Sequence, residues 1–251
     1  MTAKREMTLI VYAPALMGDD NRPVTVVQGM ERAFPGLRLD WKVSEDGCPI
    51  ALPQRDAWLK EEAKDGGFPL LCNGDESSPV MISGMEIPAG LSPGGHAQFE
   101  VRADLPPDTA GIVSAANVLA AVAESARAHW GHVTPFRASL DIARQTRNRA
   151  DDLDPPPRGL PVIASPGAMG SPEIPHRLGW LNYWSAAAAR TIGFPDPSRD
   201  AELLSRARPT ATGGWVVQLT DEPLNLDNPA HLDALLRAYE RFPVIGDRAT
   251  S

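Results

Sequence analysis

Hydrophobic and polar positions change period several times along the chain, and each change marks an element. Leu9, Ile10, Val11 and Tyr12 form a run of β-formers stopped by Pro14, which predicts a buried strand. Beyond the polar turn GDDNRP, Val27, Met30 and Phe34 recur at helical spacing until Pro35-Gly36 ends the pattern. LRLDWKVS then places Leu37, Leu39, Trp41 and Val43 on one face, as in a half-buried strand. RDAWLKEEAKDGG reads as a short charged helix with two glycines at its C-cap. FPLLCNGD and PVMISGM read as strands around an Asn-Gly turn region, with Pro69 confined to an edge or a strand start. Phe99, Val101, Ala103 and Leu105 alternate cleanly in a further strand.

The strongest helical pattern is PPDTAGIVSAANVLAAVAESARAHW. Asp108 stands at its cap, and Ile112, Ala116, Leu119, Ala123, Ala126 and Trp130 recur every three or four positions. PFRASLDIA resembles another alternating strand. Residues 144–175 lose all periodicity, and their basic, acidic and proline clusters predict a loop or linker rather than a core element. LGWLNYW then alternates as a strand and runs into the helix SAAAARTIG, with Ser185 as N-cap and Gly193 as stop. AELLSRA reads as a brief helix and GGWVVQLTDEP as a strand. DNPAHLDALLRAYERF reads as a helix capped by Asn228, with Pro229 in its first turn. Trp130, Trp180, Tyr183, Trp184 and Trp215 are expected to be structural aromatics.

Most strand connections are too short for helical crossovers. The expected fold class is therefore α+β, a mixed and largely antiparallel sheet with helices packed on one side of it. A chain of 251 residues suits a single domain over 1–251, or two packed halves, 1–143 and 176–251, joined by the Pro-rich loop 144–175.

Charge narrows the function. The formal net charge is −8, from 24 Lys and Arg against 32 Asp and Glu, which argues against direct nucleic-acid binding and suits a basic partner. No run approaches the roughly 18 apolar residues that span a bilayer. The start MTAKREMTLIVYAPALMG puts basic residues before an apolar run, but LIVYAPAL is short and strand-like and Asp19-Asp20 follow at once. A cytoplasmic location is expected. Two cysteines, Cys48 and Cys72, make no disulfide framework and no zinc motif.

The motifs of phosphate cradles, nucleophile elbows and HExxH metal sites do not occur. The histidines stand at 96, 129, 132, 176 and 231; Gly131 separates His129 from His132 at an expected helix end, so neither a metal nor a cofactor is expected. Acidic doublets recur at Asp19-Asp20, Glu45-Asp46, Asp75-Glu76, Asp151-Asp152 and Asp221-Glu222. Adjacent carboxylates diverge, so these read as solvated loops that together make a negative face, not as catalytic pairs. Asp19, Asp20, Asp75, Glu76, Asp221 and Glu222 are the candidate partner-binding residues, and no residue is assigned a catalytic role. A competing reading is a hydrolase using Asp221, Glu222 or His231. It requires an open pocket lined by Trp180 and Trp184.

Three segments carry a resemblance: HRLGWLNYWSAAAARTIGFPD, GGWVVQLTDEPLNLDNPAHLDALLRAYE, and DLPPDT leading to the helix that ends HWGHVTP. Together they resemble a family of unknown function from myxobacteria over nearly the whole chain. After residue 97 they also resemble, more distantly, the immunity protein 52 family. There Gly179-Trp180-Leu181, Thr220-Asp221-Glu222, Asp227-Asn228-Pro229-Ala230-His231 and Trp130 match the pattern. The resemblance implies a protein that binds and neutralises a cognate polymorphic toxin, often a nuclease, by covering its basic active-site face. A third reading is an interaction module with no toxin.

Overall fold

In the computed structural model, which describes residues 6–18, 20–44, 46–64, 68–146 and 155–248, the first strand lies in the middle of the sheet. β1 (Met7–Pro14) pairs on one side with β6 (Gln98–Leu105) and on the other with β7 (Trp130–Pro135). Outward from β6 run β5 (Met81–Ile87), β4 (Phe68–Cys72), β2 (Trp41–Val43) and the edge strand β3 (Pro49–Ala51). Outward from β7 run β8 (Leu181–Trp184), β10 (Trp215–Gln218) and the opposite edge β9 (Ala207–Pro209). Every ladder between these strands is antiparallel. The fold is α+β, one open ten-stranded sheet with seven helices among the described residues.

Alternation along the strands divides the sheet into two faces. On one, Leu9, Val11, Phe99, Val101 and Ile82 lie under α1 (Arg22–Ala33), α2 (Arg55–Lys64) and α3 (Thr109–Ala126). α3 begins where the Asp108 carboxylate accepts the Gly111 amide at 2.8 Å, and it ends at Arg127 in the left-handed region (φ 55°). Contrary to the expectation that no run approaches the length that spans a bilayer, it is long and apolar enough to do so by length and composition alone. Here its Ala115, Val118, Leu119 and Val122 are buried, against α1 and the central strands. Burying each of the larger side chains contributes about 1.5–3 kcal/mol. Gly29 permits the close crossing of α1 and α3, since a Cβ there would stand 2.6 Å from the Ser125 hydroxyl and 3.1 Å from the Ala121 carbonyl.

The other face is covered only in part. Over β8 and β10 lie α5 (Ala186–Ile192) and α7 (Pro229–Arg241), so helices occupy both sides of the sheet, not one as expected. Tyr183 and Trp184 show why: adjacent on β8, they must point oppositely, and Trp184 meets Phe194 and Phe242, the residue that follows α7. The remaining helices are α4 (Phe136–Ala143) and α6 (Ala201–Ser205).

PFRASLDIA is thus a helix, α4, rather than a strand. Its buried Ala138 and Ile142 are four apart, and the alternation was coincidental with that spacing. Trp130 opens β7 instead of closing the long helix, because Arg127 has already terminated α3. The segment 155–175 is also more than a linker. It buries Leu160, Ile163 and Met169 and bridges Thr146 to Ile163.

Candidate functional site

The acidic doublets have different fates. Asp19, Glu45 and the pair Asp151-Asp152 lie outside the described residues. Asp20 is taken up within the fold: its carboxylate receives the Arg22 Nε at 2.7 Å and the Arg22 amide at 3.0 Å. Burial alone would raise this carboxyl, but the Arg22 hydrogen bonds outweigh that and hold it below its ordinary range. Asp75 closes its own turn, accepting from the Ser77 amide at 2.9 Å and hydroxyl at 2.6 Å. Glu76, Asp221 and Glu222 face solvent, Asp221 with 86 % of its side chain exposed and 3.8 Å from Arg206.

Strand register places these groups. Asp75-Glu76 follow β4 and Asp221-Glu222 follow β10, at the same end of the sheet, whereas Asp20 follows β1 at the opposite end. β5 and β10 stand five strand positions apart, roughly 24 Å at about 4.8 Å per strand. The five candidate binding residues that are described therefore do not form one patch; Asp75-Glu76 and Asp221-Glu222 share an end, and Asp20 lies at the other.

Of the five aromatics named from the sequence, four are buried and one is half-buried. Trp180 and Trp184 retain 2 % and 1 % exposure, and the Trp180 indole donates to the Thr220 carbonyl at 2.9 Å. The open pocket that the hydrolase reading required between them is not formed. Trp130 and Tyr183 are buried too, while Trp215 is half-buried against Phe194.

Sequence reasoning missed a polar cluster on the partly covered face. Tyr12 stacks on Trp130 with ring centroids 4.4 Å apart, and His132 follows Trp130 on the same side of β7. Nδ1 of His132 lies 3.0 Å from the Thr134 hydroxyl, whereas its Nε2 and the Trp130 Nε1 have no protein partner. Above them, His176 bonds the Ala164 carbonyl at 2.8 Å and receives Arg177 on its other nitrogen. Tyr239 links this cover to α7: its hydroxyl accepts the Leu178 amide at 3.1 Å and donates to Gln145 at 3.0 Å, and Gln145 donates to the Pro161 carbonyl. The only sequence signal was alternation itself, which puts Tyr12 beside Trp130 once β1 pairs with β7.

These histidines are uncharged at neutral pH. Burial, aided by the positive charge of Arg177, pushes His132 and His176 down to about 3. Burial raises Glu100 on β6, more than the Tyr12 hydroxyl, Arg102 and Arg177 lower it. Among the described residues no three His, Cys, Asp or Glu side chains converge to hold a metal ion.

A pH dependence follows. The unfolded chain takes up protons near the ordinary 6.5, the folded chain only near 3, so stability is complete above about 6.5 and falls as pH drops toward 3. The slope is at most about 1.4 kcal/mol per pH unit for each histidine. Urea unfolding at pH 7.5, 5.5 and 4.5 measures it, and His132→Asn should flatten the curve. An unchanged slope in both His132→Asn and His176→Asn would refute the assignment.

A groove of about 580 Å³ opens at the β3 edge, lined by Arg38, Asp40, Trp41 and residues 51–57. At its floor the buried Arg55 bonds Glu31, Asp40 and Asp56. A smaller opening of about 300 Å³ lies beside α4. There Arg158 donates to Asp141 at 2.6 Å, Asp227 at 2.7 Å and the Leu226 carbonyl at 2.8 Å. Both sets of charges are paired within the protein.

No curated protein matches the sequence. Among solved structures, the fold is similar to that of the Pseudomonas aeruginosa T6SS protein PA0821. The TM-score is 0.54 at 15 % sequence identity, over 97 % of this chain and 77 % of that one, a likeness of fold. Residues 18–250 match the family model DUF5953, described as a domain of unknown function. The match takes in both edge strands, the aromatic strand β8 and every helix described above, so the chain belongs to the DUF5953 family.

Proposed function

We propose that this protein binds a cognate toxin in the cytoplasm and neutralises it by covering the toxin's active-site face. A nuclease is the class of toxin that fits the charge. The observation that carries the reading is the negative exterior: a net charge of −8, with Glu76, Asp221 and Glu222 presented to solvent on loops at one end of the sheet. A nuclease concentrates Lys and Arg where phosphates bind, and an acidic partner is steered to such a surface. The likeness of fold to a T6SS protein and the resemblance after residue 97 to the immunity protein 52 family point the same way. On this reading the chain acts as one α+β unit through its shape and potential.

The test is co-expression with the product of the adjacent open reading frame. A stable complex is expected, with protection of cells from that product. Its association rate should fall steeply between low and physiological salt, as screening removes the steering. Absence of both complex and protection would overturn the proposal.

A further inference from the structure

The sheet is covered unevenly, and the bare part has a defined chemistry. On β4, β5 and β6 the residues facing α1–α3, Phe68, Leu71, Ile82, Phe99 and Val101, are buried. Their alternates face the other way: Leu70 is 37 % exposed and Met85 59 %, with Cys72 and Met81 half-covered between them. Register continues this face onto β2, where Trp41 pairs with Cys72 and is 37 % exposed. The Trp41 ring lies flat over Gly74, where a Cβ would stand 2.8 Å from its Nε1. The helix packed against β4 is α2, which belongs to the opposite face, and α5 and α7 lie over β8 and β10. Among the described residues, an apolar strip of Trp41, Leu70, Met81 and Met85 is therefore left without a covering layer.

The rim of this strip is acidic. Residues 38–104, which also include α2 on the opposite face, carry twelve Asp and Glu against six Lys and Arg, which accounts for −6 of the chain's −8. Asp46, Asp75 and Glu76 are exposed on the loops that border it. Arg102, half-exposed on the face itself, lies 3.6 Å from Asp104.

We infer that the open sheet face of β2, β4 and β5 is the surface on which the toxin docks, its apolar centre seated on Trp41, Leu70 and Met85 and its basic rim against the surrounding carboxylates. The inference rests on the proposed function and supplies its missing surface. A bare apolar strip with a charged border has the composition of a recognition site, an apolar core within a polar rim. The charge selects the occupant. A second copy of this chain would bring two acidic rims together, and like charges facing across an interface oppose association. A basic partner meets complementary potential along the acidic loops of the border. The acidic doublets read from the sequence fall partly within this surface: Asp75-Glu76 border it, whereas Asp20 and Asp221-Glu222 lie elsewhere.

The probe is the purified product of the adjacent open reading frame, measured against the full chain by calorimetry and by stopped-flow mixing. Met85→Arg and Leu70→Arg each remove apolar contact and add a charge of the partner's own sign. Each should weaken the complex about tenfold or more. Val113→Arg makes the same change in charge on the exposed side of α3, where Val113 is 73 % exposed, and should alter affinity less than about twofold. Glu76→Lys should slow association at low salt, with the difference vanishing at high salt. All four side chains are solvent-facing, so circular dichroism and melting temperature should match the parent; Met85→Gln replaces any variant that does not. Unchanged affinity in both Met85→Arg and Leu70→Arg would overturn this surface while leaving the proposed function intact. No complex with the parent chain would overturn the proposed function itself. Self-association of the parent that Met85→Arg abolishes would assign the face to a second copy and overturn the choice of occupant.

Discussion

Arg22→Met is expected to lower the unfolding free energy by about 3–5 kcal/mol, with little recovery in Arg22→Lys. The guanidinium is 5 % exposed and fully committed. Its Nη1 donates to the Pro14 carbonyl at 2.7 Å and the Ala126 carbonyl at 3.1 Å, its Nη2 to Ala15 at 2.7 Å, and its Nε to Asp20 at 2.7 Å. One side chain thus joins the end of the central strand, the start of α1 and the last turn of α3, where the helix dipole favours a cation. Methionine fills much of the volume but leaves three carbonyls without this donor and the Asp20 carboxylate with the residue-22 amide alone of the two Arg22 donors, and that desolvation dominates the loss. A lysine restores the charge without the planar fork that reaches four acceptors. Asp20→Asn should cost much less, since it keeps an acceptor. Chemical denaturation of the four proteins measures the series; equal stability of Arg22→Met and the parent would show that the clasp contributes nothing.

Trp184→Ala is expected to cost a further, independent 3–5 kcal/mol or so, the range for deleting a large aromatic from a packed core. Its ring meets Phe194 at 5.1 Å and Phe242 at 5.2 Å, both edge-on. It therefore fastens β8 to the loop after α5 and to the end of α7. Trp215→Ala is the comparison: Trp215 meets Phe194 at 5.4 Å but is half-buried, so water can occupy much of what it vacates. The expected ratio is at least about twofold in unfolding free energy, read from denaturant midpoints at constant m-value. Similar losses for the two residues would show that the cluster is looser than its geometry implies.

These two side chains also mark how far sequence alone reaches. The strand from Leu181 to Trp184, the Ser185 cap and the Gly193 stop were all legible, because each depends on residues within a few positions of it. Likewise, Asp108 and Asn228 cap α3 and α7 as their positions implied. What a strand pairs with is a different matter. Nothing near Met7–Pro14 announces that its partners lie at 98–105 and 130–135, and the faces of the sheet follow from those partnerships. Hence Trp41 could be placed on a strand but not on its bare side, and the acidic doublets could be counted but not located. The three-residue strands β3 and β9 were invisible for a further reason: they are edges with little burial, so pairing defines them and hydrophobic pattern does not.

The central place of β1 has a consequence for biosynthesis. As the chain leaves the ribosome, its first apolar strand emerges with neither neighbour yet made, and the second arrives only when translation passes Pro135. Both edges of that segment stay unsatisfied until Leu105 is made, and one of them until Pro135, the condition in which nascent chains aggregate or recruit chaperones. Folding of this molecule is thereby gated by elongation, and transcripts interrupted before β7 should yield insoluble product.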